Sequence, residues 1–361
     1  MPTFTRVTIR DIAARLGVSH VTVSLALKDS YRISKGRREQ VQSMAKEMGY
    51  RPDPILSSLV VYRNSKRLKQ IHSAIAWLNH WDAPEALRKI SEFNSYWRGA
   101  SNAAERFGYR LDEFVWRPEL TPTRLETILQ TRNVRGVLIP PHNSQPDWGN
   151  FHWDNFSVIR FGLSVRSPYS HIVTADHMRG IITAMEKIQA YGYQRIGFVV
   201  PGEFDISLGG SWTGGYLASQ RLFKLPHALP PFLSESNISE SLFTKQFKQW
   251  LAKCRPDAIL TVDGRVIPAL KQLKLSIPDD IAVAATSIAD IPVSAGINQN
   301  SEEIGRVAAE TLISLINAND RGKPSVPRRI LVEGSWIDGP SLPSRCIQEM
   351  SQVNIAKPSS N

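Results

Sequence analysis

The chain has 361 residues, 42% hydrophobic and 21% charged, with a formal net charge of +11. That length suits two or three domains of roughly 150 residues or fewer, and no apolar run reaches the ~18 residues a membrane-spanning helix needs. The segment MPTFTRVTIRDIAARLG carries charge from Arg6 onward without an apolar stretch, which argues against a secretory signal and for a cytoplasmic protein without a membrane partner. Cys254 and Cys346 are the only cysteines, too few for a disulfide framework or a cysteine-held zinc, and no cofactor or metal is expected.

The charge is concentrated at the front. Residues 1–70 hold 14 Lys or Arg against five acidic residues, and residues 71–361 hold 30 against 28. A basic head on a nearly neutral body points to a polyanion as the head's partner. The head is not a solvated tail, because Ile9, Ile12, Leu16, Val23, Leu27, Val41, Met44 and Met48 recur at helical spacing. Thr8 and Asp11 predict a boxed helix start, and Gly17 a turn. Ser19 predicts the cap of a second helix, with Val18 stapled onto Val23. Ser34 predicts the cap of a third, which ends at Gly49. Helix, glycine turn, helix is the pattern that places a second helix in the DNA major groove.

VTIRDIAARLGVSHVTVSLALKDSYRISKGRREQVQSMAKEMGYRPD resembles the DNA-binding headpiece of the lactose-repressor (LacI) family of bacterial transcription regulators. Thr8, Asp11, Ala13, Gly17-Val18-Ser19, Thr22-Val23-Ser24, Val41 and Gly49-Tyr50-Arg51-Pro52 carry the likeness over about 45 residues. The resemblance implies that His20 and Val21 read bases. It implies that Thr8, Ser19, Thr22, Ser24 and Tyr50 serve the same surface, with Thr22 and Ser24 on phosphates or bases. Leu25 stands where members usually carry Arg, so it offers apolar contact, for example to a thymine methyl, in place of a bidentate grip on guanine.

Residues 51–63, RPDPILSSLVVYR, predict a short helix opened by Asp53 and Pro54, too short to be stable alone. In the family such a hinge forms on the operator, and Leu59 aligns with the side chain pushed between central base pairs.

From residue 71 apolar runs alternate with helical patterns, which builds parallel sheets covered on both faces. Strands are expected at 74–78, 110–115, 136–139, 158–161, 196–200, 258–261 and 281–285. Helices are expected near 92–107, 122–132, 177–191, 213–223, 240–253 and 301–317. Motifs such as Arg98-Gly99, Gly215-Tyr216 and Ile304-Gly305-Arg306 make this body similar to the family's effector domain. The fold class implied is an all-α helix-turn-helix headpiece, a hinge helix and an α/β periplasmic-binding-protein-like domain of two doubly wound lobes. The boundaries expected are 1–50 for the head, 51–70 for hinge and linker, 71–345 for the effector domain and 346–361 for a disordered tail. The first lobe would take about 71–172 plus 301–328, and the second about 176–297 plus the last strand.

By the same likeness the effector site includes Trp77, Asn79, Trp81, Phe93, Asp176, Trp212, Asp263 and Gln299. Three departures bear on the ligand. Trp212 replaces an Arg of sugar-binding members, Asp263-Gly264 replaces Asn-Asp, and Ala285-Thr286-Ser287 replaces Gly-Phe-Asp. A Trp stacks on an apolar sugar face or a planar ring. A saccharide is therefore the first effector expected, and another small metabolite the second.

Enzymatic readings lack a site: there is no G-x-S-x-G, GxGxxG or phosphate-binding loop, and the His residues show no metal spacing. A soluble binding protein without a DNA role leaves residues 1–62 unexplained. The expectation is a sequence-specific transcription regulator, read as a repressor. It would be a homodimer on a palindromic double-stranded operator, controlled by a small molecule.

Overall fold

The computed structural model describes residues 7–27, 33–50, 73–117 and 119–345. The expected hinge helix with Leu59, the linker and the tail lie outside the described residues. The chain divides into two units, residues 1–70 and 71–361.

In the first unit, α1 (Ile9–Leu16) begins at a reciprocal cap. Thr8 N donates to Asp11 at 2.7 Å, and Asp11 N donates to the Thr8 hydroxyl at 3.4 Å. Gly17 ends α1 at φ 64°, a left-handed turn that glycine adopts without a Cβ clash. Helix α2 (His20–Leu27) is capped by Ser19, whose Oγ accepts from Thr22 N at 3.0 Å. Ser34 does precede α3 (Lys35–Glu47), but its side chain makes no capping bond. Ile12, Ala13, Val23, Ala26, Val41 and Ala45 form the buried centre, with Val18, Met44 and Met48 packed around it.

The second unit contains two six-stranded sheets. The first joins β1 (Ser73–Asn79), β2 (Tyr109–Val115), β3 (Gly136–Ile139), β4 (Ser157–Phe161), β5 (His171–Ala175) and β11 (Arg329–Val332) in the order β11-β5-β4-β3-β1-β2, all parallel. The second joins β6 (Ile196–Pro201), β7 (Phe232–Ser234), β8 (Ala258–Thr261), β9 (Ala282–Ala285), β10 (Gly296–Asn298) and β12 (Ser335–Ile337) in the order β12-β10-β9-β8-β6-β7. Only the β10–β12 pairing there is antiparallel.

Helices α4 (Pro84–Leu87), α5 (Ser91–Arg106), α6 (Pro122–Thr131) and α12 (Ser301–Ala318) serve the first sheet. Helices α7 (His177–Ala190), α8 (Gly202–Ser207), α9 (Ser211–Leu222), α10 (Glu240–Cys254) and α11 (Val266–Gln272) serve the second. Both faces of each sheet are buried, so side chains alternate between two cores. Along β1, Ile75 and Trp77 enter the core beneath α5 and α12, while Ala74, Ala76 and Leu78 enter the other.

Sequence and structure divide the last residues differently. The first lobe extends beyond 328 to include β11, which pairs with β5, and only β12 joins the second sheet. The backbone crosses between lobes three times, from β5 to α7, from β10 to α12 and from β11 to β12. Two glycines let α5 and α12 touch. A Cβ on Gly99 would collide with the Glu302 carbonyl, and one on Gly305 with the Tyr96 carbonyl.

Candidate nucleic-acid interface and interlobe cavity

Helix α2 buries Val23 and Ala26 and turns its first residues outward. Ser19 and His20 are exposed and Val21 is 52% exposed, although Val21 is apolar and sits in a folded head. Thr22, Ser24 and Leu25 are half-buried along the same helix. The Thr22 hydroxyl lies 2.9 Å from that of Ser19. Arg10, Arg15 and Arg37 are exposed and supply positive charge to the head's surface. Two expected contact residues have local duties. The Thr8 hydroxyl donates to Asp11 at 2.7 Å and is consumed by the cap, and Tyr50 packs against the head's core.

Between the two sheets lies a cavity of about 310 Å³, a volume ordinary for a small-molecule site. It opens at the carboxyl ends of the strands, where parallel sheets bind ligands. Pro141 and His142 follow β3, Leu163 and Ser164 follow β4, Val262 follows β8, and Thr286 and Ser287 follow β9. Its walls include five aromatic side chains: Trp81, Phe93 and Tyr96 from the first lobe, Phe204 and Trp212 from the second. Phe93 stacks on Tyr96 with centroids 5.9 Å apart, and Trp212 meets Phe204 at 5.4 Å and His177 at 5.2 Å. Buried Asp205 fixes Trp212 by accepting from the Trp212 and Thr213 amides at 3.0 and 3.2 Å.

Of the eight expected effector residues, Trp81, Phe93, Trp212 and Gln299 line this cavity. Asp176 caps α7 by accepting from Arg179 N at 3.0 Å and borders a small adjoining recess. The other three are elsewhere. Trp77 lies inside β1 and is fully buried against Trp97 and Phe161. Asn79, also buried, holds the turn after β1: its amide donates to the Pro84 carbonyl and to Glu113, and its Oδ1 accepts from Trp81 N at 3.0 Å. Asp263 is held by Arg265 at 2.7 Å and by the Ser234 hydroxyl at 2.7 Å, outside the cavity lining.

The sequence missed Glu92 and Asp290, marked Ser287 only as part of a departure from the family pattern, and read His177 as a helix-start residue. Among the described residues, six buried side-chain polar atoms lack a hydrogen-bond partner. Four of them belong to cavity residues: Glu92 Oε1, His177 Nδ1, Ser287 Oγ and Gln299 Oε1. Such atoms are costly unless something pairs with them. Burial raises the Glu92 carboxyl to about 7, with the Asp290 charge adding to the effect and Ser287 opposing it. Burial also lowers His177 and His142 to about 4, so both are neutral near pH 7. The His142 Nε2 accepts from His80 N at 3.0 Å, which leaves Nδ1 to donate to the Pro140 carbonyl at 2.8 Å.

Asp290 joins the lobes at the cavity wall. Its carboxylate accepts from the amides of Ser91 and Glu92 at 2.8 and 3.4 Å, capping the first-lobe helix α5 with an anion from the second lobe. The sequence flagged Phe93 but not its neighbour Glu92, whose role depends on a loop 198 residues away.

Residues 8–53 match the family model described as bacterial regulatory proteins, lacI family, and residues 186–342 match that of a periplasmic binding protein-like domain. The transcriptional regulator MalR of Streptococcus pneumoniae is 24% identical over 90% of this chain and 97% of its own length. The transcriptional repressor CytR of Escherichia coli is 23% identical over 92% and 96%. Among solved structures, a complex of the regulator CelR with cellobiose aligns with a TM-score of 0.54 at 20% identity, covering 93% of this chain and all of that one. A lac repressor dimer bound to operator and an anti-inducer aligns at 0.53 and 17%, covering 94% and 99%. At these identities the structures attest the fold. No helix among the described residues is long and apolar enough to cross a membrane.

Proposed function

We propose, for a chain that belongs to the LacI family of bacterial regulatory proteins and so is a DNA-binding transcription regulator, that a small molecule held between the lobes controls operator binding. The observation that carries this reading is the clustering of four unpaired buried polar atoms around one aromatic cavity. A ligand there touches both lobes and the residues beside two crossings, His177 after β5 and Gln299 after β10. Ligand binding is thereby tied to the lobe angle, provided that the two arrangements differ in affinity.

A saccharide is the effector class this reading favours. Trp81, Phe93 and Trp212 offer faces for an apolar sugar side, and Gln299 offers an acceptor for a hydroxyl. On DNA, His20 and Val21 read base edges, Thr22 and Ser24 contact phosphates or bases beside Ser19, and Leu25 makes apolar contact. Leu59 is assigned to the central step of the operator. The protein acts as a homodimer, because a palindromic operator mirrors two-fold protein symmetry. We assign repression as the output.

The test is selection of bound duplexes from random DNA at about 150 mM salt with the full-length protein. A recovered palindrome, released or bound more tightly when a sugar is added, is the expected result. Enrichment of a single asymmetric half-site contradicts the dimeric reading. A palindrome whose binding no small molecule alters contradicts effector control.

A further inference from the structure

We infer that Glu92 is the specificity-determining acceptor of the interlobe cavity and that the effector is a non-anionic, donor-rich small molecule, whose hydroxyl or ammonium group donates to Glu92. This rests on the reading of the cavity as the effector site and adds the chemical class of its ligand.

The argument begins with what the lining lacks. Among the described residues, no Lys or Arg lines the cavity. Its two imidazoles, His142 and His177, are neutral near pH 7. A phosphate or carboxylate brought into this space would be desolvated without a cation to pair with, which costs several kcal/mol per ion. Of the four unpaired atoms, Ser287 Oγ and His177 Nδ1 can donate or accept, and the other two are acceptors. Glu92 Oε1 and Gln299 Oε1 are buried and unpaired, and both can only accept while Glu92 is ionised. The Gln299 amide already donates to the Thr286 carbonyl at 3.1 Å, which leaves its oxygen for the ligand.

Asp290 is the other carboxylate in the lining, and the α5 amides already occupy it. Glu92 is therefore the carboxylate in the lining with an oxygen left over, with the Ser287 hydroxyl favouring its charged form. The groups that face it are Asp290 and Ser287 from the loop after β9 and Tyr96 from its own helix, and none is cationic. A donor from the ligand replaces the hydration that Glu92 loses on burial, and an ammonium would also sit among aromatic faces that attract cations.

The experiment uses full-length protein and matched ligand sets, each on one sugar skeleton. For glucose these are glucose, glucosamine, glucuronate and glucose 6-phosphate, with equivalent galactose and ribose sets, read by calorimetry at low salt. The expected result is binding by a neutral or amino member and at least about a tenfold weaker response from its anionic counterparts. Glu92→Leu should lose about tenfold or more in that affinity, and Glu92→Gln less, because its oxygen still accepts. An amino ligand should bind best between the pH at which Glu92 ionises, about 7, and that at which its own ammonium loses its proton, with weaker binding on either side, while a neutral ligand should lack the alkaline fall; that distinguishes the two donors. Tighter binding of a phosphate or carboxylate member overturns the inference, as does unchanged affinity in Glu92→Leu, or silence across all sets. Operator binding measured on the same samples keeps the outcomes separate. Loss of operator recognition with intact ligand selectivity counts against the regulator reading alone.

Discussion

Trp77 and Trp81 stand four residues apart and do different work. The sequence marks both as effector residues because they sit near the end of the first strand. The strand runs to Asn79, so Trp77 shares the face of Ile75 and packs into the core, and Trp81, past the strand, reaches the cavity. Asp263 shows the same limit: its pairing with Arg265 is local in sequence, but Ser234, which completes it, comes from β7. Glu92 escaped notice, and His177 was read only as a helix-start residue, because burial gives both their character. Their linked pH effects have opposite signs. His177 is depressed in the folded state, so its stability contribution is present above about 6.5 and lost as pH falls toward 4. Glu92 is raised, so burying it costs progressively more as pH rises from 4.5 toward 7. His177→Gln should shallow the fall in Tm between pH 6.5 and 4.5, and Glu92→Gln should gain Tm over the native chain between pH 5 and 7.5. Parallel melting curves for native and variant chains would refute either assignment. Trp212→Ala should abolish the effector response while leaving operator affinity unchanged, as measured by titration with labelled DNA. A retained response moves the stacking face elsewhere.

At the scale of elements, long amphipathic helices and strands with β-branched residues were legible. Helices α5, α6, α7, α10 and α12 fall within one or two residues of expectation. What escaped is short or depends on partners. Strands β7, β10 and β12 have three residues each, and α8 has six, too few for any period to register. Strand β5, HIVTA, carried a β-branched signal that the reading passed over. The motifs Arg98-Gly99 and Ile304-Gly305 were recognised by likeness, and the structure supplies the cause, the helix contact between α5 and α12. Gly305→Ala should therefore cost about 1–3 kcal/mol or more by overpacking against backbone that cannot yield, read as a fall in Tm. A chain with wild-type Tm would show that the two helices can separate freely. In the head, Ser19→Ala should cost about 1 kcal/mol through loss of the α2 cap, seen as reduced thermal stability of the head's amides in hydrogen exchange.

For the whole molecule, the uneven charge and the alternation of strands and helices made the two-part plan readable. The ligand's chemistry was not, because the cavity draws on residues from Trp81 to Gln299. Operator binding should weaken steeply with salt, since the basic head exchanges counterions for phosphate contacts. Leu59→Ala should reduce affinity for the selected palindrome much more than for random duplex, with a similar salt slope on both. Equal losses on the two DNAs in a filter-binding titration would assign Leu59 to packing between hinges.

The three crossings between lobes have a mechanical consequence. One connection would allow the halves to swing, twist and drift apart. Three connections restrain separation of the lobes more than one would and favour a hinge motion about them. Under the proposed effector control, the message of a cavity ligand is an amount of opening or closing. A substitution in the lining, such as at Trp212 or Glu92, can therefore change what is bound without touching the connections.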